Sequence, residues 1–422
     1  MNIESELLER CHVNKNDDGD RFVGVKADES NVVVYFPIGY KLPDNDDEIR
    51  QDILHLISVL AELNDDRDKL PAMNKFQAPQ SVDFPINAYM EIILYYMEQN
   101  GYYTEKESRY KTGDRGRTDW SKTVKQQRGY IQPNGSLVYI NRIVQISASN
   151  ANQLITQIHK YCVHESFSKL GWLFTSIMPD ECEIEKDEKM FLSILHDKLA
   201  NTNNDKDKRL FSSMIAMLEY LDEKPNQKQF YFGTDRFEYV WEKLIDRVFG
   251  IKQKYEYFPH ANWNLKYGKN KTKKALQPDT IMLCSGKIFV LDAKYYRYGL
   301  TGNPDHLPSS SSINKQITYG EFIASQDKFK VKYGAKVPVY NAFIMPYNPT
   351  ENIFSINGKF ENIGSASGDW KTSGADYEHV QGILVDIRYL MHHYVGNSAK
   401  QIIKMAEVIE LGFIISDGNL PE

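Results

Sequence analysis

Two apolar runs meeting at a Ser-Gly dipeptide limit what this chain can fold into more than any other feature. Residues 280–284 and 288–291, inside the stretch QPDTIMLCSGKIFVLDAK at 277–294, flank Ser285-Gly286, a dipeptide that marks turns between strands. The stretch is therefore predicted to form a β-hairpin. With a two-residue turn, Cys284 pairs with Lys287, and the same register continued outward sets Asp279 opposite Asp292. Directly opposed side chains share one face of a sheet with Cβ atoms roughly 4.5–5.5 Å apart, and like charges there destabilise the pair. Something positive has to sit between them. A hard divalent cation, usually Mg2+, meets that need, because it accepts one or two carboxylates together with waters and substrate phosphate. Alternation along the strand brings Lys294 out on the face of Asp292, so two carboxylates and an ammonium converge on one spot.

Pro278-Asp279, twelve intervening residues and Asp292-Ala293-Lys294 resemble the PD-(D/E)xK nuclease signature. The resemblance implies that Asp279 and Asp292 hold the metal and that Lys294 positions or activates the attacking water. Phosphodiester hydrolysis needs a nucleophile available near neutral pH and stabilisation of the charge that develops, and a bound metal supplies both. A partly buried lysine either has its pKa lowered enough to take part in proton transfer or stabilises the developing negative charge. An Asp-x-Lys at a strand end is commonplace on its own, and a second Pro-Asp occurs at 304–305. The hairpin register sets the first copy apart, since its two halves meet in space.

A length of 422 residues suggests two or three domains with real cores, and 41% hydrophobic with 26% charged residues is the balance of a soluble globular chain. No apolar run approaches the roughly 18 residues of a membrane span. MNIESELLER at the start lacks the features of a signal peptide, and a cytoplasmic location with no membrane partner is expected. Cys11, Cys162, Cys182 and Cys284 are scattered without CxxC spacing, which indicates neither a zinc site nor a disulfide framework. The net charge of -6 excludes a uniformly basic nucleic-acid coat, so local distribution matters more than the sum.

Two stretches are locally basic. Residues 251–274 carry seven lysines, Lys252, Lys254, Lys266, Lys269, Lys271, Lys273 and Lys274, against one acid, with Tyr255, Tyr257, Phe258, Trp263 and Tyr267 interleaved. Lysines running into the Pro-Asp motif suit neutralisation of DNA phosphates, which gives affinity without sequence information. A solvated lysine-rich loop is the other reading. Residues 105–128 carry eight basic side chains, among them Arg109, Arg115, Arg117 and Lys122, against four acids. With Gly113, Gly116 and Trp120 they read as a shaped loop that contacts DNA, since arginine pairs with phosphate or guanine bidentately. A patch for an acidic partner fits the same composition.

Along the chain, apolar spacing predicts a strand at 31–36 and helices at 52–63, 86–97, 152–174, 190–199 and 210–221, with a hairpin about Asn134-Gly135. His159 and His164, five apart, do not share a helix face and read as structural. Lys224-Pro225-Asn226-Gln227 is a plausible boundary, giving an N-terminal mixed α+β domain at 1–226, subdividing near 100–150, and a catalytic domain at 227–422. In the latter, a helix at 235–249 carries Glu238 and Glu242 one turn apart. A helix at 313–326, buried strands at 341–345 and 382–387, and a closing helix at 398–411 complete a mixed sheet flanked by helices, of class α+β or α/β. Nucleases of the PD-(D/E)xK fold often place a glutamate after a phenylalanine on the helix before the sheet. Phe237-Glu238 matches and implies Glu238 as a catalytic metal ligand, with Glu242 as the alternative. Gln316 and Tyr319 resemble a supporting Gln-x-x-x-Tyr helix motif of related nucleases, one residue shorter here.

Further stretches, GDRGRTDWSKT (113–123), QLITQIHKYCVHES (153–166), FGTDRFEYVWEKL (232–244) and LQPDTIML to LDAKYY, resemble the LlaJI family of restriction endonucleases, which is similar to McrC nuclease subunits. The resemblance implies a type II-like, site-specific restriction endonuclease subunit that cuts double-stranded DNA in phage defence. It also implies a cognate methyltransferase and a separate McrB-like GTPase; a homo-oligomer is left open. The chain itself has no G-x-x-x-x-G-K-[ST] phosphate loop. The competing reading is a non-cutting DNA-binding or motor-activating subunit with a vestigial nuclease fold.

Overall fold

The structure, a computed structural model, describes residues 7–27, 32–63, 84–149, 153–175, 178–182, 184, 187–223, 230–267, 269, 271–272, 275–395 and 398–416. The chain divides into two compact units, one drawn from residues 1–83 and 228–422 and the other from 84–227. Both are mixed α/β. None of the helices among the described residues is long and apolar enough to cross a membrane.

The first unit opens with β1 (Cys11–Val13), β2 (Val23–Ala27) and β3 (Val32–Phe36), followed by α1 (Asp46–Leu63). Ile49, Ile53, Leu56, Ile57 and Leu60 of α1 are buried, the stripe that the spacing predicts. The helix starts six residues before the predicted position 52, where Asp46, Asp47 and Glu48 supply negative charge to its first turn.

The second unit, taken by itself, is mostly helical. It contains α2 (Ile86–Gln99), β4 (Lys106–Thr112), β5 (Arg117–Thr118), α3 (Trp120–Gln126), β6 (Tyr130–Ile131), β7 (Leu137–Val138), β8 (Ile143–Ser149), α4 (Leu154–Leu170), α5 (Glu188–Asn201) and α6 (Asp205–Glu223). The stretch 105–128 is thus not a loop: β4 and β5 both pair with β8 in the order β4-β8-β5, and α3 follows. Asp119 caps α3, its side chain accepting from Lys122 N at 3.0 Å. The Asn134-Gly135 turn does join a short hairpin, β6 with β7. His159 is fully buried, accepts from Tyr103 N at 2.8 Å through Nδ1, and is pushed by burial down to about 3, so it is a neutral core side chain.

The remaining elements return to the first unit: β9 (Phe230–Thr234), α7 (Phe237–Phe249), β10 (Asn262–Trp263), β11 (Lys271–Thr272), β12 (Thr280–Cys284), β13 (Lys287–Ala293), α8 (Tyr298–Thr301), α9 (Ser310–Ser325), α10 (Asp327–Tyr333), β14 (Val339–Tyr347), β15 (Phe360–Ala366), β16 (Val380–Asp386), α11 (Ile387–His392) and α12 (Ala399–Ser416). Strand β9 pairs with β2 in a sheet ordered β1-β3-β2-β9. Gly24 lies opposite Gly233, and a Cβ on Gly24 would meet Phe232 O at 2.1 Å, so the two backbones approach as only glycine permits. That pairing carries the first strands into the unit of the β12–β13 hairpin, whereas the sequence groups everything before 227 together. A ladder between residues two hundred positions apart leaves no mark on local periodicity.

The large sheet has the order β12-β13-β14-β16-β15. Strands β13, β14 and β16 are parallel, and β12 and β15 run antiparallel at the edges. Ile288 and Val290 of β13 pack with Ile281, Tyr319 and Ile323, which places α9 over that face. On the opposite face, Tyr340 meets Phe289 and Phe413 of α12. Burial on both sides explains why β13 reads as a continuous apolar run.

Candidate active site

The hairpin has the expected register, from Thr280 opposite Leu291 to Cys284 opposite Lys287. Ser285 and Gly286 both take positive φ, 50° and 74°, the backbone of a two-residue turn that matches strand twist. One step beyond the ladder, Asp279 sits beside Asp292, close enough for the charge of Asp292 to act on its carboxyl. Asp279 Oδ2 also accepts from Ala293 N at 3.0 Å. Lys294 Nζ lies 2.6 Å from Asp292 Oδ2, with the Asp292 side chain 4% exposed and that of Lys294 16%. All three groups issue from the sheet face covered by α9.

Electrostatics follow from this crowding. Burial, then the charge of Asp292 and the hydrogen bond to it, hold the Asp279 carboxyl well above the usual range. A carboxyl pair in contact requires a proton, or a cation in its place. Burial pulls the Lys294 ammonium down, but Asp292 and Asp279 together outweigh it and the net shift is upward. In this arrangement Lys294 is therefore held as an ammonium.

The supporting residues sit on α9. Gln316, 1% exposed, donates through Nε2 to Val290 O at 2.6 Å, and Tyr319 donates through its hydroxyl to Gln277 O at 3.0 Å. They tie the helix to β13 and to the segment that leads into β12, at the shorter spacing. Burial, with Asp292 and Asp279 nearby, raises the Tyr319 phenol, leaving it a donor.

The two glutamates of α7 differ. Trp241 donates through Nε1 to Ile344 O at 3.2 Å, and the same oxygen accepts from Lys294 N at 2.8 Å. Glu242, next along the helix, is pushed up to about 7 by burial and then by Asp292. Glu238 lies on the first turn, where Phe237 packs on Tyr295 with centroids 5.2 Å apart. Neither Glu238 nor Glu242 joins Asp279 and Asp292 as a ready trio: among the described residues no group of three His, Cys, Asp or Glu is placed to hold a metal. The sequence offers no signal for Trp241 beyond its place in the apolar stripe.

Of the candidate DNA-contacting residues, Arg115 and Arg117 are exposed at the β4–β5 connection, and Lys122 Nζ stands 2.9 Å from the Tyr110 ring centroid. Arg109 lies in β4 and Lys271 in β11. Lys266 and Lys269 are exposed between β10 and β11, which pair antiparallel beside exposed Trp263 and Tyr267. Lys273 and Lys274 fall outside the described residues.

The strained carboxyl pair predicts a measurable cost. In chelator at neutral pH, Asp279→Asn will unfold in urea with a stability about 1 kcal/mol above wild type, since the amide keeps the bond from Ala293 N and removes the clash. Added Mg2+ will stabilise wild type more than the variant. Equal stability in chelator would mean the pair carries no strain.

Among solved structures, a chain in the refined half-complex from the tetradecameric assembly of Thermococcus gammatolerans McrB AAA+ hexamers with bound McrC is similar at 15% identity and a TM-score of 0.37, covering 92% of this chain and 82% of that one. No curated protein matches. The model of the LlaJI restriction endonuclease family matches residues 22–365, and with most of its length so covered, this chain belongs to the LlaJI restriction endonuclease family.

Proposed function

We propose that the chain is a Mg2+-dependent endonuclease subunit with a PD-(D/E)xK core that hydrolyses phosphodiester bonds of double-stranded DNA in restriction. The observation that carries this reading is the convergence of Asp279, Asp292 and Lys294 on one end of the hairpin, with Lys294 Nζ 2.6 Å from Asp292 Oδ2 and Asp279 Oδ2 held by Ala293 N at 3.0 Å. Oxygen donors without nitrogen or sulfur suit a hard cation, and two carboxyls that crowd each other without one fit that group. Asp279 and Asp292 would hold it. Glu242 is favoured over Glu238 as the third donor, since the field of Asp292 reaches it. When bound, Mg2+ supplies a water of lowered pKa and charge against the developing phosphorane-like oxygen.

The chain's own residues do the rest. Asp292 keeps the Lys294 ammonium aimed into the site, where it orients the attacking water and stabilises charge on the phosphate, leaving a 5′-phosphate. Gln316 and Tyr319 fix α9 against the hairpin. Lys266, Lys269, Lys271, Lys273 and Lys274, just ahead of Pro278-Asp279 in sequence, would neutralise phosphates of the DNA backbone. Arg109, Arg115, Arg117 and Lys122, with exposed Trp120 and Val124 close in sequence, would contact DNA or a partner. An McrB-like GTPase is the partner that the family resemblance implies, and the chain lacks a phosphate loop of its own. Recognition of a defined site, and protection by a cognate methyltransferase, complete the proposal.

The test is plasmid cleavage by the purified chain, with and without an McrB-like GTPase and GTP. Cleavage in Mg2+ that stops in chelator is expected. Stimulation of the GTPase without any cut in DNA would instead favour a motor-activating subunit.

A further inference from the structure

Helix α9 crosses from the end of β13 back to the start of β14, and the two strands are parallel. Its first turns therefore lie at the carboxyl ends of both strands, the end that bears Asp292 and Lys294. Packing fixes the level more closely. Ile317, with Ile313 against it, packs on Phe343, the residue paired with Asp292 on the next strand, and Gln316 reaches Val290 O. Lys315 falls between these anchors. It is exposed, and no carboxylate pairs with it among the described residues. Its Nζ stands 5.7 Å from the ring centroid of Tyr319, while Lys294 Nζ stands 5.9 Å from that of Phe343.

We infer that Lys315 is a phosphate-binding residue at the mouth of this site, taking a backbone phosphate of the DNA strand that enters between α9 and the carboxylates. The inference rests on the nuclease reading and extends it to a residue outside the motif. Whatever negative charge Asp279, Asp292 and Glu242 keep against half-buried Lys294 and a bound cation repels an approaching polyanion. An unpaired ammonium on the solvent side offsets that field along the entry path. Its reach is evident at Glu242, whose acidity is raised by Lys315 as well as by Lys294. The Tyr319 ring beneath it limits where the long side chain goes, since an ammonium is attracted to an aromatic face.

The test compares wild type, Lys315→Glu, Lys315→Ala and Lys315→Arg as full-length protein. Duplex binding is measured in Ca2+, as a non-cleaving cation, across a salt series, and Mn2+ binding is measured without DNA. Lys315→Glu is expected to weaken duplex binding about tenfold or more, and Lys315→Ala to lower the salt slope by about one. Lys315→Arg is expected to bind nearly as wild type, and Mn2+ affinity to stay within about twofold for the alanine variant. Wild-type duplex binding and cleavage by Lys315→Glu would overturn the inference while leaving the nuclease reading intact. A changed Mn2+ affinity with unchanged duplex binding would overturn it too, placing Lys315 on the carboxylates rather than on phosphate. Wild type that neither binds duplex in Ca2+ nor cuts in Mg2+ would overturn both.

Discussion

Asp292→Asn will lower Mg2+-dependent DNA cleavage by roughly three orders of magnitude or more, with the fold retained. Asparagine fills the same volume on β13, so the ladder to Phe343 and the α9 packing survive. Two things are lost together: an anionic donor to the cation, and the partner that Lys294 Nζ meets at 2.6 Å. Lys294→Ala separates them, because it leaves both carboxylates in place. That variant is expected to fold and to bind duplex while losing cleavage, read by single-turnover kinetics beside thermal melting. Retained cleavage by Lys294→Ala would remove the lysine from the mechanism.

A second large effect lies away from the site. Asp52 of α1, fully buried, accepts from Arg388 of α11 through both oxygens, at 2.8 Å from Nε and 3.2 Å from Nη2, and His392 Nε2 lies 2.7 Å away. Arg388→Ala leaves that charge without its fork and is expected to cost about 3 kcal/mol, the lower end for a broken buried pair because His392 remains. Urea unfolding measures it. Burial alone would raise the Asp52 carboxyl, but the bonds from His392 and Arg388 and their charges outweigh it, and the net shift is downward. A carboxylate depressed in the folded state adds stability that is complete above its unfolded pKa, about 4, and is lost as pH falls through the lower folded value. Wild type should therefore shed this increment only below about pH 4. In Arg388→Ala this acid-sensitive increment should shrink, since one of the two groups that depress Asp52 is gone and only His392 remains.

What the sequence reveals and what it hides divide along physical lines. The hairpin was legible because a two-residue turn fixes register, and register alone brings Asp279 to Asp292. Helix α7 was legible from its apolar stripe, Phe237 to Phe249. Strand β15 was not, since FENIGSA is an edge strand with a bulge after Asn362 and shows no clean alternation. Of the sheet β1-β3-β2-β9 only β3 was legible, as the strand expected at 31–36, because the other strands are short and the closing pair is distant. The basic stretch 105–128 hid β4 because a charged strand, KESRYKT, reads as a loop by composition. At the site, the choice between Glu238 and Glu242 depends on the rotation of α7 against the sheet. That rotation is set by Trp241 reaching Ile344 O, a tertiary contact that no spacing encodes. The charge state of Lys294 was likewise undecided, because it turns on the balance of burial against two nearby carboxylates.

The central claim is that the Asp279 and Asp292 carboxyls share a divalent cation. Anomalous diffraction from crystals soaked in Mn2+, a substitute for Mg2+, tests it most directly. A peak at roughly 2.0–2.3 Å from an oxygen of each carboxyl, absent from Asp292→Asn crystals, is the predicted result. Density with the two carboxyls still in hydrogen-bond contact and no anomalous peak between them, at Mn2+ concentrations that support cleavage, would contradict it.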